Sequence, residues 1–356
     1  EVDNWQFNCS APGAGGSPIT GTPDQIRTIL HNRLNWTSTN STPIFNPAAQ
    51  SGCTITIVVA ADSTPPVITC ASTPGAITAG SNGTTTIPNL VTGTSATDDT
   101  SAPGNITITQ SPAAGTTVSA GVHSVILTAT DEAGNTDTCA INVTVNEPPS
   151  TTLSAGDIAF VGFNLDGTDS FAFVLLKDII AGTHIRFTDC GVTNPNTISC
   201  AGTGEGTATW YSSSAGSAGD VITLPGSFIT GSVLASIGDQ IFAYQGTSAT
   251  PTFIAGIHSN IESGTNDADW DGQNTTNDES ALPNQLINGV NAIRLHNSGT
   301  EVDNWQFDCS LVPGGAPLTG TPANIAATIN NLAFWIHDDT TAYSPAAKSG
   351  CSFNVV

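Results

Sequence analysis

The stretch Glu1–Ser10, EVDNWQFNCS, returns almost unchanged as Glu301–Ser310, EVDNWQFDCS. An internal repeat of this kind is decisive for the organisation of a chain. Because the two copies begin 300 residues apart, the sequence predicts a repeating unit of about 300 residues. Residue 1 falls inside such a unit, so we expect a window of a longer repeating polypeptide. In that window we expect residues 1–62 to form the C-terminal part of a preceding large β-sandwich.

The similarity continues into a helix. In the first copy, Thr22 is a typical N-cap, Pro23 suits the first helical position, and we expect the helical pattern to end at Trp36. The second copy repeats the pattern from Thr321 to Trp335. Apolar residues line one face in both copies: Ile26, Ile29, Leu30 and Leu34 in the first, and Ile325, Ile329 and Leu332 in the second. This shared face predicts that the helix packs on a core.

Composition and charge exclude several classes of partner. The 356 residues include 29 Asp and Glu but only 6 Lys and Arg, which gives a formal net charge of −23. Binding to phosphate groups needs a basic surface, so we expect neither a nucleic-acid partner nor docking on anionic lipid. No apolar run of about 18 residues occurs, so the sequence predicts no insertion into a membrane.

The eight cysteines fall into four pairs of chain neighbours: Cys9 with Cys53, Cys70 with Cys139, Cys190 with Cys200, and Cys309 with Cys351. The first and last pairs occupy matching places in the two copies, as two equivalent disulfides would. No C-x-x-C spacing of a zinc ribbon is present. We therefore expect disulfides and an extracellular, oxidising location. Buried free thiols in a cytosolic protein are the alternative.

Residues 63–146 follow a linker and contain β-branched segments separated by turn residues, at intervals typical of a β-sandwich. They also contain PPVITC at Pro65–Cys70 and TATDEAGN at Thr128–Asn135, followed by Cys139. In these motifs and their order the segment resembles the hyalin repeat (HYR), an extracellular immunoglobulin-like β-sandwich of surface and matrix proteins. The resemblance implies a disulfide between Cys70 and Cys139.

A second Pro-rich stretch, residues 147–150, is expected to be a semi-rigid linker. Residues 151–356 then carry many predicted strands and a single helical pattern. Gly156–Asn164, GDIAFVGFN, followed by Phe171–Val174, resembles the opening of lamin-tail-like β-sandwich modules, which recur in large secreted repeat adhesins of the Bacteroidota type. The sequence therefore predicts an all-β fold of tandem sandwiches, one small and Ig-like, the other larger and carrying one short helix.

Two groups of acidic residues are candidate calcium ligands. Asp267, Asp269 and Asp271 alternate and precede a glycine, as in the front half of a calcium loop, although the flanking sequence does not predict the helices of an EF-hand. A second set combines residues near the two linkers with two acidic pairs: Asp62, Asp98, Asp99, Asp131, Glu132 and Glu147. Solvated acidic loops without a metal are the alternative for both groups.

Two further sites are hypotheses from short motifs. Ser63 and Thr340 each follow an aspartate and precede a threonine, which resembles the Asp-Ser/Thr O-glycosylation motif of Bacteroidota.

The sequence contains none of the common catalytic motifs. The histidines show no metal-ligand spacing, and the sequence contains no nucleophile elbow, phosphate loop or dinucleotide fingerprint. We therefore expect no enzyme and no cofactor beyond calcium.

Together these patterns favour a structural repeat unit of a secreted cell-surface filament or adhesin, serving attachment or surface motility. Its expected partners are copies of itself and a surface glycan or protein. A module that binds a glycan or protein is one alternative. Accessory domains of an enzyme, with the catalytic domain outside this window, are the other.

Overall fold

The computed structural model describes residues 4–11, 14–39, 52–58, 61–165, 168–193, 197–200, 205–229, 234, 238–260, 270, 280–296, 302, 304–344 and 346–356. The chain divides into two compact units. The first comprises Glu1–Thr73, Asn89–Ala114 and Ser124–Ile141, and the second comprises Pro74–Pro88, Gly115–His123 and Asn142–Val356. The domain boundaries inferred from the sequence stay predictions.

The predicted all-β fold class is confirmed. Within the described ranges the chain forms 26 strands in several sheets and two α-helices. None of the described helices is long and apolar enough to cross a membrane.

The first repeat copy folds around a capped helix. Its elements are β1 (Asn4–Phe7), β2 (Ile19–Gly21), α1 (Pro23–His31), β3 (Trp36–Thr39) and β4 (Ile55–Ile57). Thr22 Oγ1 accepts from the Gln25 N–H, and Gln25 Oε1 accepts from the Thr22 N–H at 2.9 Å, which is a capping box. Strand β1 pairs antiparallel with β3, and β2 pairs parallel with β4.

The expectation that the helix reaches Trp36 is wrong. Helix α1 ends at His31, because the Asn32 side chain accepts from the Leu34 N–H at 3.0 Å and starts a single 3-10 turn. Trp36 then opens β3 opposite Phe7. The second copy ends α2 (Pro322–Ile329) in the same way, since Asn331 accepts from the Ala333 N–H at 3.1 Å.

Residues 67–146 form eight strands: β5 (Val67–Thr69), β6 (Ile77–Thr78), β7 (Thr84–Thr86), β8 (Ser95–Thr97), β9 (Thr107–Ser111), β10 (Thr117–Ser119), β11 (Gly121–Thr130) and β12 (Thr136–Asn146). The largest sheet has the order β6-β12-β11-β9, and two-stranded sheets join β5 to β8 and β7 to β10. Every second residue of β11 and β12 turns inward, including the buried Val125, Leu127 and Ala129.

The large sandwich consists of strands β13 to β26 with α2. The strands are β13 (Ile158–Asn164), β14 (Ser170–Leu175), β15 (His184–Thr188), β16 (Gly191–Thr193), β17 (Thr197–Ser199), β18 (Thr207–Tyr211), β19 (Val221–Pro225), β20 (Gly238–Thr247), β21 (Thr250–Asn260), β22 (Ala292–Arg294), β23 (Asn304–Phe307), β24 (Leu318–Gly320), β25 (Trp335–Asp338) and β26 (Phe353–Val355).

Two five-stranded sheets enclose its core. One has the order β19-β14-β13-β23-β25 and the other β18-β15-β20-β21-β22. Strands β13 and β14 are buried along their whole length, because both faces of the first sheet are covered. Phenylalanines dominate the core between the sheets, with Phe171 and Phe187 5.2 Å apart between ring centroids.

The second repeat copy is an integral part of this sandwich. Strand β23 lies between β13 and β25, with Trp305 opposite Phe163 and Phe307 opposite Trp335. Trp305 is only 2% exposed. The repeated EVDNWQF stretch thus supplies the strand that completes the sheet.

A buried aspartate distinguishes the two copies. Asp308 Oδ2 accepts from Lys348 Nζ at 2.6 Å, and its other oxygen accepts from Ser310. Burial raises the pKa of the Asp308 carboxyl, but the hydrogen bonds from Lys348 and Ser310 outweigh burial, so its pKa lies below the ordinary value. The first copy has Asn8 and Gln50 at these places, so both charges are replaced together.

The repeat provides a matched test of core packing. We expect Trp305→Ala to destabilise the large sandwich by about 3–5 kcal/mol, because it empties a buried site. Trp5→Ala, at the equivalent position of the first copy, should cost far less, since Trp5 is 38% exposed. Differential scanning calorimetry of both variants measures the difference, and equal losses would contradict it.

The charge pair is tested in the same way. We expect Lys348→Gln to cost about 1–2 kcal/mol, because Asp308 stays buried without its cation. The double variant Asp308→Asn with Lys348→Gln should stay within about 1 kcal/mol of the parent, since it reproduces the first copy.

The same variants differ in their pH dependence. A depressed carboxyl pKa contributes stability above the unfolded value of about 3.9, and this contribution is lost as the pH falls through the folded pKa. The double variant should lack this loss. Thermal unfolding at neutral and acidic pH measures both effects, and identical pH profiles for parent and double variant would count against the assignment.

Candidate functional site

The first group of predicted calcium ligands, Asp267, Asp269 and Asp271, lies outside the described residues. Trp270, in the middle of that group, is described. Its ring stacks on His258 with 5.0 Å between centroids, and its Nε1 donates to Asn288 Oδ1 at 3.3 Å. The indole thus packs against strand β21.

Three of the six residues of the second acidic set lie together. One carboxylate oxygen from each of Asp62, Asp98 and Asp99 lies within 4.8 Å of the others, and we call these three residues the acidic cluster. Glu147 belongs to a different group, described with the linker that follows β12. Sequence proximity alone could not make this division, since Asp62 and Asp98 meet through the pairing of β5 with β8.

Local hydrogen bonds fix the orientation of the acidic cluster. Asp62 Oδ1 accepts from the Thr64 N–H at 3.0 Å, and Asp98 Oδ2 accepts from the N–H groups of Thr100 and Ser101 at 3.0 and 2.7 Å. The remaining oxygens, Asp62 Oδ2 and Asp98 Oδ1, are inaccessible to solvent and accept no hydrogen bond from the described residues. Among the described residues these two oxygens thus lack a donor, whereas Asp99 Oδ2 accepts from Thr64 Oγ1 at 3.4 Å.

A neighbouring turn supports the acidic cluster. Asn135 Nδ2 donates to Asp131 Oδ2 at 2.9 Å and to the Asp62 carbonyl at 3.3 Å. Burial raises the pKa of Asp131, but the hydrogen bonds from Asn135, Gly134 and Ala133 outweigh burial, so the pKa of this carboxyl lies below its ordinary value. The sequence analysis named Asp131 but missed Asn135. Aspartate and asparagine side chains commonly form hydrogen bonds within turns, so residues 131–135 carried that general signal.

The cluster has the chemistry of a cation site. Calcium takes six to eight oxygen ligands, among them aspartate carboxylates and backbone carbonyls. The three carboxylates would hold such an ion, and it would replace the missing hydrogen-bond donors. The other metal-like grouping, Asp189 with Cys190 and Glu205, is different, because Cys190 is bonded to Cys200 and its sulfur cannot act as a thiolate ligand.

The cysteines form the four pairs named from the sequence. The structure contains disulfides Cys9–Cys53, Cys70–Cys139, Cys190–Cys200 and Cys309–Cys351, and no described cysteine is free. The first and last are equivalent in detail, since Cys9 and Cys309 each donate a backbone N–H to the sulfur of their partner. The two glycosylation candidates, Ser63 and Thr340, are both exposed.

The Pro-rich linker is fastened along its length to the large sandwich. The Gln245 side chain accepts from the Leu153 N–H at 2.9 Å and donates to the Thr151 and His184 carbonyls at 2.9 and 3.0 Å. The Thr151 backbone N–H in turn donates to Thr183 Oγ1 at 3.0 Å. We call residues 147–153 the fastened linker. Its polar network holds the backbone in one conformation, as satisfied networks do.

An ion pair begins the fastened linker. Glu147 Oε1 lies 2.5 Å from an Arg186 guanidinium nitrogen, and Glu147 Oε2 lies 3.0 Å from His184 Nε2. The three residues line a polar cavity of about 300 Å³. Burial and, second to it, the negative charge of Glu147 raise the pKa of the nearby Tyr211 phenol. The positive charge of Arg186 acts in the opposite direction but does not cancel them. Arg186 and His184 are partners that the sequence analysis missed.

Two glycines, Gly83 and Gly182, allow close contacts with Tyr211 and with the fastened linker. Gly83, with φ of +76°, faces the Tyr211 ring, and a Cβ built on Gly83 would lie 2.5 Å from it. Ser81 Oγ donates to the Ser213 carbonyl at 3.3 Å. On the linker side, a Cβ on Gly182 would lie 2.9 Å from the Pro149 carbonyl oxygen. Only glycine fits at these two places.

Part of the chain is similar to a known protein family. Residues 61–145 match the HYR domain. This segment is therefore similar to that family. The acidic cluster therefore lies inside it, with Asp62 at its start, and Glu147 follows two residues after its end. No curated protein and no solved structure shows significant similarity to the chain.

If calcium binds at the acidic cluster, Asp62→Asn should change the melting temperature in opposite directions without and with calcium. Without calcium, Asp62→Asn should slightly raise the melting temperature, because it removes repulsion between like charges. With calcium in excess it should lower the melting temperature relative to the parent, because bound ligand stabilises the folded state by about 2.7 kcal/mol at a hundredfold excess over Kd.

The exposed Asp24→Asn is the matched control, since that carboxylate lies outside the acidic cluster. Thermal unfolding in chelator and in calcium measures both arms. A parent protein whose melting temperature is the same in both solutions would rule out a calcium site here.

The close approach of Gly83 is tested against Gly115. Both glycines have positive φ, +76° and +85°, but a Cβ on Gly115 would meet nothing within 4 Å. We expect Gly115→Ala to cost about 1 kcal/mol through backbone strain, and Gly83→Ala to cost about 1–3 kcal/mol more through collision with Tyr211. Calorimetry gives the stabilities. Cleavage at residues 147–150 in limited proteolysis should rise for Gly83→Ala alone, and equal behaviour of the two variants would contradict the contact.

Proposed function

We propose that this chain is a structural, non-catalytic segment of a secreted filament or adhesin at a cell surface. The observation that carries the proposal is the fastened linker. A spacer between independently acting modules needs no such fixation, whereas a stalk that transmits force does. Hydrogen bonds from one glutamine, the Glu147–Arg186 ion pair and the close packing at Gly182 all act on the same seven residues.

The disulfides support the same role. Cys70–Cys139 closes a loop of 69 residues inside the HYR domain. Such a cross-link restricts the unfolded chain and stabilises the domain by about 4 kcal/mol. Under tension it would also keep about 240 Å of chain from extending, at roughly 3.5 Å per residue. Disulfides persist in oxidising compartments, which fits an extracellular location.

The composition supports an exposed, solvated fibre. A net charge of −23 makes neighbouring fibres repel one another. Charged residues are nevertheless only 10% of the chain, so most polar residues at the surface are uncharged. The lamin-tail-like character of the large sandwich and the Bacteroidota-type repeat adhesin are part of this proposal. The proposed partners are copies of the same repeat and a surface glycan or protein.

Electron microscopy of cells that make the protein tests the proposal. An antibody raised against the HYR domain, coupled to gold, should label thin surface fibres at a regular axial spacing. Deletion of the gene should remove the fibres and reduce attachment of the cells to surfaces. An antibody adsorbed with the purified chain is the control for specificity.

Two results would overturn the proposal. Label found only on discrete soluble particles, with attachment unchanged by the deletion, would favour a binding module, and retention on a glycan array would then identify its ligand. Label that co-purifies with a hydrolytic activity lost on deletion would favour accessory domains of an enzyme.

A further inference from the structure

Two edge strands of the large sandwich and the loop between them line a cavity. Strand β18 ends one five-stranded sheet, β19 ends the other, and residues 212–220 connect the two strands. The cavity has a volume of about 360 Å³, which lies at the small end of the range for ligand sites. Every residue that lines it belongs to the described part of the chain. It therefore has room for one small ligand.

The cavity has an apolar floor. Leu175 and Ile179 are only 1% and 3% exposed, and the partly buried Trp210 lines the cavity with them. The Trp210 ring packs edge-on against Phe173, with 5.6 Å between ring centroids. The core thus holds an indole whose remaining surface borders the cavity.

Several polar groups that line the cavity have no hydrogen-bond partner in the described chain. They are the indole N–H of Trp210 and the hydroxyls of Ser213 and Ser214. In contrast, the indole N–H groups of Trp305 and Trp335 each donate to a backbone carbonyl. A tryptophan that is largely buried usually finds such an acceptor. The Trp210 N–H is therefore a donor that a ligand can use.

Asp220 is the only charged residue among those that line the cavity. Its Oδ2 accepts from the Ser217 N–H at 2.7 Å, and its Oδ1 accepts from no described residue. Neither lysine, arginine nor histidine lines the cavity. A phosphate, sulfate or carboxylate would find no counter-charge here and would be repelled by Asp220.

The loop already holds these groups in place. Gly216 and Ile179 exchange two backbone hydrogen bonds at 2.9 and 3.0 Å. The Ala218 N–H donates to Asp178 Oδ1 at 2.8 Å. A ligand would therefore bind without the cost of ordering this loop, which improves its affinity.

We propose that this cavity binds one neutral sugar residue of a glycan. The C–H groups of the sugar ring would lie on the apolar floor beside the indole. Sugar hydroxyls would accept from the Trp210 N–H, exchange hydrogen bonds with the two serines, and donate to Asp220 Oδ1. A primary amine, such as a lysine of a protein partner, also suits Asp220, but it offers no acceptor to the indole N–H. A sugar therefore satisfies more of the unpaired groups.

This inference rests on the proposed function for its partner, a surface glycan, and gives that partner a place on the chain. The two can fail separately, because sugar binding is measured on the purified chain whereas the fibres are sought on cells. An array of neutral oligosaccharides selects the probe, and titration of the full chain with the best of them gives Kd. Amide hydrogen exchange should slow on binding in residues 210–222. If no neutral saccharide binds, or if protection appears only elsewhere, the site assignment is wrong.

Substitutions with a matched control localise the binding. Trp210→Phe keeps a ring against Phe173 but removes the N–H, so Kd should rise about fivefold, as for one lost hydrogen bond. Ser214→Ala should have a similar effect, and it keeps the test valid if Trp210→Phe disturbs the core. Ser217→Ala is the control, because Ser217 is an exposed serine of the same loop that does not line the cavity. Equal affinities for Ser214→Ala and Ser217→Ala would contradict the proposal.

Asp220→Asn separates a neutral sugar from a cation. Asparagine can still accept from the Ser217 N–H and from a sugar hydroxyl, so Kd for the saccharide should change less than about threefold. The cation probe is Nα-acetyl-lysine amide, which should not bind the parent chain measurably. Binding of this amine that Asp220→Asn abolishes, without binding of any saccharide, would overturn the proposal in favour of a basic protein partner.

Discussion

The pairing of β23 with β13 is the interaction on which the large sandwich depends. Strand β13 is buried from end to end, and its neighbour on one side comes from the far end of the chain. Without β23 the first sheet would end at β13, and β25 would have no strand to pair with. The second copy of the repeated stretch is therefore the closing element of the large sandwich.

The sequence predicted the long strands and the fold class because their alternation and β-branched content are strong signals. Strands β24 and β26 have only three residues each, which is too short for an alternation to show in the sequence. The helix end was wrong for a definite reason. The apolar period runs on through Leu34, but Asn32 caps the turn before it, and Leu34 is left 84% exposed. The hydrogen bond from the Leu34 N–H to Asn32 thus ends the helix, although the apolar pattern continues.

The candidate sites were predictable in part. The sequence named six acidic residues as one set, and three of them, Asp62, Asp98 and Asp99, lie close together. It could not separate Glu147 from this set, because the partners of Glu147 are His184 and Arg186 on β15. Basic residues number only 6 in the chain, and at least four of them hold ion pairs: Arg27, Lys177, Arg186 and Lys348. In so acidic a sequence each lysine and arginine marks a structural contact. Gln245 gave no signal, since a glutamine within a strand fits any pattern.

The position of β23 in the chain also sets the order in which a large unit can fold during synthesis. Gly162 and its partner Gln306 are separated by about 140 residues, so β13 leaves the ribosome long before its neighbour exists. Synthesis proceeds at about 5–20 residues per second, which leaves that edge open for roughly ten seconds.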